Sequence, residues 1–409
     1  MRTTRDLIPF LLALLLAACG SSATGPGGGD PSDPPEPAAT DPGTGPWQLV
    51  PPERVAEECG LDPDLLRAAD EQLGAAYAVV RYGKLCHEYY PDEDDRTSEV
   101  YSATKTLGGV VTGAAIWQTR DLERAGPKTG PVTVNDRVDH WLGEFTFNPD
   151  ARVGHVLGMV GFNEDLSFPN RRFLYDANGG REINRLSDVL NTAIGQDPER
   201  YGRNLEEFTR RFLFEPLGMR GSVWTGGAPD KIFGFSWAST VRDMARLGLL
   251  ILNDGLWNGE RLVSAEYIQG LTHPSFEDGN PGYGYLTWLA TGIAPGLFGD
   301  CAPAALWNEY PHGELSGAPD CAYGPGLSCD QEHDVGVWGA LGLFGQYIVG
   351  HRGLDLVLVG KDMGDARLPA GLWAAVRPAL VALDPIYADD EAAFCAAYRA
   401  NRYAPDWLG

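Results

Sequence analysis

The sequence is short of positive charge and lacks the common metal-binding motifs. Its 409 residues include 32 Lys and Arg against 56 Asp and Glu, a formal net charge of -24. Because nucleic acid is itself a polyanion, this balance argues against a nucleic-acid partner and favours a soluble, exported protein. There is no Cys-x-x-Cys or His-Glu-x-x-His motif, and the seven histidines are scattered. We therefore expect neither a metal nor another cofactor.

Long hydrophobic runs are also absent after the N-terminus. Arg2 and Arg5 precede LIPFLLALLLAA, an apolar stretch too short to form a stable membrane span. Leu16-Ala17-Ala18-Cys19 resembles a bacterial lipobox, in which cleavage leaves a lipidated cysteine; a plain secretory signal is the alternative. We predict a lipoprotein signal peptide over residues 1–19, lipidation at Cys19 and anchoring to a bacterial membrane, with the outer membrane favoured.

Apolar residues remain scarce just after this signal. Residues 20–48 are mainly Gly, Pro, Ser, Asp and Thr, a composition that cannot form a packed core. The sequence therefore predicts a disordered tether there. The remaining chain, residues 49–409, is long enough to bury a large core as one domain.

Cysteines are few, but their number is even once Cys19 is set aside. An even number in an exported chain is typical of disulfides, although the sequence does not choose their pairing. A Gly- and Pro-rich segment holds half of them, which predicts at least one disulfide within it. The six are Cys59, Cys86, Cys301, Cys321, Cys329 and Cys395.

Periodicity outlines strands at both ends of the domain and helices between them. AAYAVVRYGKLCHEYY alternates around Tyr82-Gly83-Lys84, which predicts a β-hairpin. Two more strand-like runs flank His351-Arg352-Gly353, and a closing helix follows them. We therefore predict an α+β fold, an α/β sandwich in which distant segments form one sheet. A helical lobe is inserted at about 115–260.

One stretch, Ser102-Ala103-Thr104-Lys105, carries the candidate chemistry. The apolar residues that follow it recur at helical spacing without a charge as far as Trp117, so we predict a buried helix with Ser102 in its first turn. Residues three apart share a helix face, so the Lys105 amine can reach the Ser102 hydroxyl. A desolvated lysine can accept the proton of a serine. The alternative is a capping serine followed by a surface lysine.

Several further segments accompany this stretch in a fixed order. They are AVVRYGKLCHEYY, SATKTLGG, HVLGMVGF, FLYDANG, EPLGM, STVRDMARLGLLILNDGLWNG, GYGYLTW and ALGLFGQYIVGHRGLDLVLV. Together they resemble the serine β-lactamase and penicillin-recognising superfamily, in particular its class C-like branch of β-lactamases, esterases and amide hydrolases. The resemblance runs from about 75 to 383 and implies a β-lactamase/transpeptidase-like fold, with an antiparallel sheet flanked by helices and the site at the boundary of the helical lobe.

The resemblance implies roles for three residues. Ser102 is the nucleophile, Lys105 is its proton partner, and Tyr175 is the general base and leaving-group acid. A tyrosine near a lysine ammonium is expected to have its phenolate favoured. The alternative for Tyr175 is a buried aromatic side chain whose hydroxyl is satisfied.

The sequence departs from the family pattern at two places. Ala177 replaces the polar residue usually found two positions after the tyrosine, and Asn178 follows one position later as the candidate substrate contact. In the late strand, Val337-Trp338-Gly339 replaces Lys-Thr-Gly, so the cation and hydroxyl that hold a substrate carboxylate are missing. The strand backbone remains, and we predict that the Ala340 N–H completes an oxyanion hole with the Ser102 N–H.

Three other features have simpler interpretations. A literal Lys128-Thr129-Gly130 lies between prolines, which suits a surface loop and not a central strand. His155 has apolar neighbours and is expected to be a core histidine. The acidic residues 91–99 are interpreted as a solvated loop, since they lack a calcium-loop signature.

The predicted function is that of an exported serine hydrolase whose domain spans 49–409. It cleaves an ester or amide bond of a small-molecule or peptide substrate through an acyl-enzyme on Ser102. Trp338 in place of a hydroxyl favours an apolar or aromatic group over a β-lactam carboxylate. The alternatives are a non-catalytic envelope-binding protein of the same fold, and a D-alanyl peptidase or β-lactamase acting on cell-wall or β-lactam substrates.

Overall fold

The computed structural model describes most of the chain after the first 40 residues. The predicted signal peptide, Cys19, most of the predicted tether, and the cysteines from Cys301 onward lie outside the described residues. No helix in the described part is long and apolar enough to cross a membrane. The described ranges are 41–144, 148–227, 231–276, 279–280, 282–290, 337–364 and 369–381.

The secondary structure alternates between short strands and helices. The strands are β1 (Ala76–Arg81), β2 (Lys84–Tyr89), β3 (Ser98–Glu99), β4 (Val223–Trp224), β5 (Trp237–Ser239), β6 (Leu256–Trp257), β7 (Glu260–Arg261), β8 (Trp288–Ala290), β9 (Val337–Gly342), β10 (Gln346–His351) and β11 (Leu356–Lys361). The helices are α1 (Val55–Cys59), α2 (Pro63–Leu73), α3 (Thr104–Thr119), α4 (Val138–Leu142), α5 (Val153–Leu157), α6 (Arg185–Ile194), α7 (Pro198–Tyr201), α8 (Leu205–Thr209), α9 (Glu215–Leu217), α10 (Val241–Leu252), α11 (Ala265–Thr272) and α12 (Pro369–Val376).

The main sheet joins the two ends of the domain. Within the described ranges it has six antiparallel strands in the order β2-β1-β11-β10-β9-β8. Helix α10 packs on one face, where Gly248 lies against Ile348 and Val357. Helix α12 covers the other face, where Trp373 stacks on His351 with ring centroids 5.5 Å apart. Because both faces are covered, β10 and β11 are buried throughout. The predicted α+β fold with an antiparallel sheet is confirmed.

Helix α3 is the central helix that the sequence predicts. Residues from Thr104 to Ala115 are buried, because α6, α11 and β9 all pack against this helix. Ser102 lies just before it, in the 3-10 turn Tyr101–Ala103 that leads into the helix. Ser102 is therefore two residues before the first residue of α3 and not, as predicted, in the first turn of that helix.

Three glycines of α3 allow its neighbours to come close. The sequence predicts this, since each glycine costs about 1 kcal/mol of helix propensity relative to alanine. A Cβ at Gly108 would overlap the Phe233 ring, and one at Gly109 would lie 2.8 Å from the Tyr285 carbonyl oxygen. At Gly113 it would overlap the ring of Tyr267.

The end of the predicted tether is packed and not disordered. Trp47 is buried, and its indole N–H donates to the Arg242 carbonyl oxygen at 3.1 Å. The Arg246 guanidinium donates to the Gly43 carbonyl oxygen at 2.8 Å and lies over the Trp47 ring. Trp47 anchors residues 41–48 because its ring packs against Arg246 of α10.

One disulfide is present in the described part of the chain. Cys59 at the end of α1 is bonded to Cys86 on β2, across a sequence separation of 27. The bond holds the N-terminal helices against the edge of the sheet. The predicted bridge in the Gly- and Pro-rich segment concerns cysteines outside the described residues.

Gly113→Ala is expected to destabilise the protein even though alanine is the better helix former. The new methyl group would lie 2.7 Å from the Val263 Cγ1 atom and against Tyr267. Overpacking of this kind costs about 1–3 kcal/mol, which exceeds the propensity gain of about 1 kcal/mol. Urea denaturation measures the change, with Gly126→Ala as the control because nothing lies within 4 Å of a Cβ there. Equal stability of the two variants would refute the close packing.

Candidate active site

The structure brings Lys105 to Ser102. The Lys105 Nζ atom lies 3.1 Å from the Ser102 Oγ atom. Lys105 is only 2% exposed, whereas Ser102 is partly exposed at the surface. The lysine is therefore not a surface residue following a simple capping serine, and a substrate can approach the hydroxyl.

Two backbone carbonyls complete the surroundings of the Lys105 amine. Its Nζ atom lies 2.7 Å from the Ala177 oxygen and 2.8 Å from the Gly234 oxygen. Burial lowers the pKa of Lys105 to about 7, and the nearby Asp176 carboxylate opposes this shift. A neutral amine has two N–H bonds and one lone pair. The two carbonyls can accept both N–H bonds, which directs the lone pair to the Ser102 hydroxyl.

Tyr175 is the third side chain at this point. Its ring centroid lies 4.9 Å from the Lys105 Nζ atom, and its hydroxyl interacts with the Ser102 side chain. Burial raises the pKa of Tyr175 to about 12; the interaction with Ser102 opposes this shift and the Asp176 charge adds to it. The expectation that the lysine favours the phenolate is therefore wrong. Desolvation outweighs any attraction to Lys105, and the hydroxyl keeps its proton near neutral pH.

A strained turn presents Ser102. Tyr101, the preceding residue, has φ 50, a left-handed conformation that a non-glycine residue adopts only when its surroundings hold it there. The Glu99 carboxylate accepts the Tyr101 N–H at 3.1 Å and the Ser236 N–H at 2.7 Å. Glu99 thus ties the serine turn to the segment whose Gly234 oxygen contacts the lysine.

The serine turn also supplies a free backbone donor. Among the described residues, none accepts a hydrogen bond from the Ser102 N–H. The first N–H groups of a helical segment have no partner within it, and they lie at the positive end of its dipole. This N–H can therefore bind an oxyanion.

The end of strand β9 contacts the serine turn. A Cβ at Gly342 would overlap the Val100 carbonyl oxygen, and the Phe344 ring lies edge-on to Tyr101 at 5.1 Å. Ala340 lies on the same strand face, two residues or roughly 7 Å earlier. Its role as an oxyanion donor remains a prediction.

Trp338 does not line the site. It is 1% exposed, and its ring covers Gly350 on the neighbouring strand β10, which leaves room for it because glycine has no side chain. It lies four residues, roughly 13 Å, before the Gly342 contact along the strand. The interpretation of Trp338 as a substrate contact is therefore wrong in this structure. Gly339, beside it, pairs with Trp288 of β8.

Asn178 lies at the surface near the site. Its side-chain oxygen accepts the Gly180 N–H at 3.2 Å, and its backbone is in close contact with Gly234. Lys105 bonds to the backbone oxygen of Ala177, one residue earlier. The contact with Lys105 therefore does not require a polar side chain at residue 177. A contact of Asn178 with substrate remains a prediction.

Two of the three simpler interpretations agree with the structure. Lys128 to Gly130 form a loop in which the Thr129 hydroxyl accepts the N–H groups of Ala125 and Gly126. His155 is buried and stacks on Phe276, and burial lowers its pKa to about 3. The interpretation of residues 91–99 as a solvated loop is correct only in part, because Ser98–Glu99 form strand β3 and the Asp95 side chain accepts the N–H groups of Val241 and Arg242.

We expect Ser102 to react with a fluorophosphonate, and the labelling rate to rise as pH increases through about 7. This follows because Lys105 must lose its proton before it can accept the one from Ser102. Lys105→Met is expected to slow labelling by about 100-fold or more. Lys128→Met, in the surface loop, is the matched control and should label at the wild-type rate. A rate that does not change between pH 5.5 and 8.5 would contradict the role of Lys105.

Comparisons with known proteins identify the fold. No family model matches the chain, and no curated protein matches it in sequence. A family VIII carboxylesterase structure is 14% identical, with a TM-score of 0.52 over 78% of this chain and 97% of its own. A Bacillus anthracis protein provisionally named a 6-aminohexanoate-dimer hydrolase is 16% identical, with a TM-score of 0.50 over 81% and 84%. A Bacteroides dorei protein provisionally named a β-lactamase is 15% identical, with a TM-score of 0.50 over 78% and 97%. This chain has the β-lactamase/transpeptidase-like fold.

Proposed function

We propose that the protein is a serine hydrolase that cleaves an ester or amide bond through an acyl-enzyme on Ser102. The observation that carries the proposal is the hydrogen bond between buried Lys105 and the partly exposed Ser102 hydroxyl, with the Tyr175 ring beside the same amine. A serine becomes a useful nucleophile when a base lies within hydrogen-bond reach and is itself held in position. Two backbone carbonyls hold the Lys105 base.

The proposed reaction begins with proton transfer from Ser102 to the neutral Lys105 as the Ser102 oxygen attacks the carbonyl carbon. The resulting oxyanion is bound by the Ser102 N–H and by a second donor from β9, for which we propose the Ala340 N–H. Tyr175 then donates its proton to the leaving alcohol or amine and regains one from Lys105. Water then attacks the carbonyl carbon of the acyl-enzyme, the proton transfers run in reverse so that Ser102 regains its proton, and the acid is released.

The side chains beside the site favour an apolar substrate group. Phe344, whose ring contacts Tyr101, is 49% exposed, and the adjacent Leu343 is 60% exposed. Phe235 follows the Gly234 contact of Lys105 and is also exposed, as is Leu174 just before Tyr175. Exposed rings and aliphatic chains next in sequence or in contact with the residues of the site suit an apolar acyl or alcohol group. This rim replaces Trp338 as the basis for apolar specificity.

Strand β9 has no cationic side chain that could bind a substrate carboxylate. The six residues of β9 are Val, Trp, Gly, Ala, Leu and Gly. Two buried lysines of the described chain are already engaged elsewhere: Lys231 pairs with Glu206, and Lys361 donates to the carbonyl oxygens of Arg96 and Ser239. An uncharged ester or amide is therefore favoured over a β-lactam, whose carboxylate would lose its partner.

We further propose that the protein is exported and anchored through a lipid on Cys19. The support is the sequence of the N-terminal segment, in which a short apolar run ends at a lipobox-like cysteine. Radiolabelled palmitate should be incorporated into the wild-type protein in a bacterial host and not into Cys19→Ser. Equal incorporation into both would contradict lipidation at this residue.

Turnover of a short-chain aryl ester is expected, with little or no turnover of a chromogenic cephalosporin. The missing strand cation is the physical reason, and Ser102→Ala should abolish the ester activity. Robust cephalosporin turnover without ester cleavage would favour a β-lactamase or D-alanyl peptidase. A folded wild-type protein that neither turns over esters nor reacts with a fluorophosphonate would favour the non-catalytic binding protein.

Phe344→Ala is expected to reduce kcat/KM for p-nitrophenyl octanoate by about 10-fold while leaving p-nitrophenyl acetate nearly unchanged. Burying an aromatic side chain against a long acyl chain contributes about 1–3 kcal/mol, and a two-carbon acyl group does not reach it. The matched control is Leu65→Ala, an exposed apolar residue on α2. Equal losses for the two esters would show that Phe344 does not contact the acyl chain.

A further inference from the structure

A buried carboxylate lies directly behind the site. Asp176, between Tyr175 and Ala177, is 2% exposed. Its Oδ2 atom accepts three successive backbone N–H groups, from Arg181 at 3.1 Å, Glu182 at 2.8 Å and Ile183 at 3.2 Å. Such a nest of N–H groups holds an anion firmly in place.

The residues on either side of Asp176 both reach the reacting groups. The Tyr175 ring lies 4.9 Å from the Lys105 Nζ atom and its hydroxyl interacts with the Ser102 side chain, and the Ala177 oxygen accepts a hydrogen bond from Lys105. The Asp176 carboxylate is fixed by the backbone of residues 181–183. It therefore sets the positions of Tyr175 and of the Ala177 oxygen relative to Ser102 and Lys105. Rotation of this loop would move both contacts together.

The charge of Asp176 also acts on both groups. It raises the pKa of Lys105 against the effect of burial, and it adds to the burial that raises the pKa of Tyr175. The other titratable groups that face it are Glu182 and Tyr283. Burial raises the pKa of both well above their ordinary values. Asp176 is the carboxylate whose charge acts on the pKa of Lys105.

We propose that Asp176 is a positioning residue that holds the Tyr175 loop and sets the pH range in which Ser102 is activated. The proposal rests on the proposed function, since it concerns the same serine and lysine. Asp176 itself touches neither Ser102 nor a reacting atom. Its effect is exerted on the Lys105 amine, whose charged form it favours.

The test is the pH dependence of fluorophosphonate labelling in full-length Asp176→Asn. Without the buried charge, Lys105 loses its proton more easily, so the midpoint of the labelling profile should move to lower pH by roughly one unit. Asp176→Glu, which keeps the charge, should keep the wild-type midpoint. If Asp176 had only a structural role, the Asp176→Asn variant would label more slowly at every pH and the midpoint of its labelling profile would be unchanged.

Asp95→Asn is the matched control. Asp95 also accepts two backbone N–H groups, from Val241 at 2.7 Å and Arg242 at 3.1 Å, at the start of α10. The Asp95→Asn variant should perturb hydrogen bonds of the same kind, and the midpoint of its labelling profile should not move. If Asp176→Asn does not fold, Asp176→Ser provides the same test, because its hydroxyl can accept an N–H without adding an amide donor.

The outcomes separate the two proposals. A labelled wild-type protein, together with a folded Asp176 variant whose midpoint is unchanged, overturns the role of Asp176 and leaves the serine hydrolase intact. A midpoint that moves equally in Asp95→Asn also overturns it. A folded wild-type protein that is not labelled at any pH overturns both proposals.

Discussion

The arrangement of the site depends on one nitrogen atom. The Lys105 amine is buried beside the N-terminal end of α3 and is bonded to Ser102, Ala177 and Gly234, which lie far apart in the sequence. Burying an amine with unsatisfied hydrogen bonds would cost several kcal/mol, so three chain segments must converge before this helix can be enclosed. The same contacts that make the burial tolerable orient the amine toward the hydroxyl. Stability and reactivity thus have a common origin here.

Backbone atoms make hydrogen bonds at this site that sequence motifs assign to side chains. Lys105 is held by two carbonyl oxygens, so residue 177 can be alanine without loss of the contact. The serine turn offers a main-chain N–H, and Glu99 fixes that turn by accepting two further N–H groups. Contacts of this kind depend on the path of the chain and not on the identity of the residue. A site can therefore diverge in sequence while its geometry is retained.

Local features of the fold could be read from the sequence. The Ser102–Lys105 pair is one helical turn, and strand alternation and the apolar α3 helix are short-range patterns. Features that depend on distant segments were not accessible. Neither the packing of Trp47 on α10 nor the placement of Trp338 over Gly350 has a local signal. The pKa of Tyr175 also depends on distant segments, because burial is the largest cause that raises it.

The pairing of β1 with β11 has a consequence for how the molecule is made. Ala76 pairs with Lys361, so the sheet that supports the serine helix closes only when the two ends of the domain meet. Contacts between residues so far apart in sequence slow folding, because a large loop must close before they form. The core can therefore be completed only after β11 has been synthesised and has left the ribosome. Late closure of this kind would suit the export proposed above, because a chain must be unfolded to pass through a translocation channel.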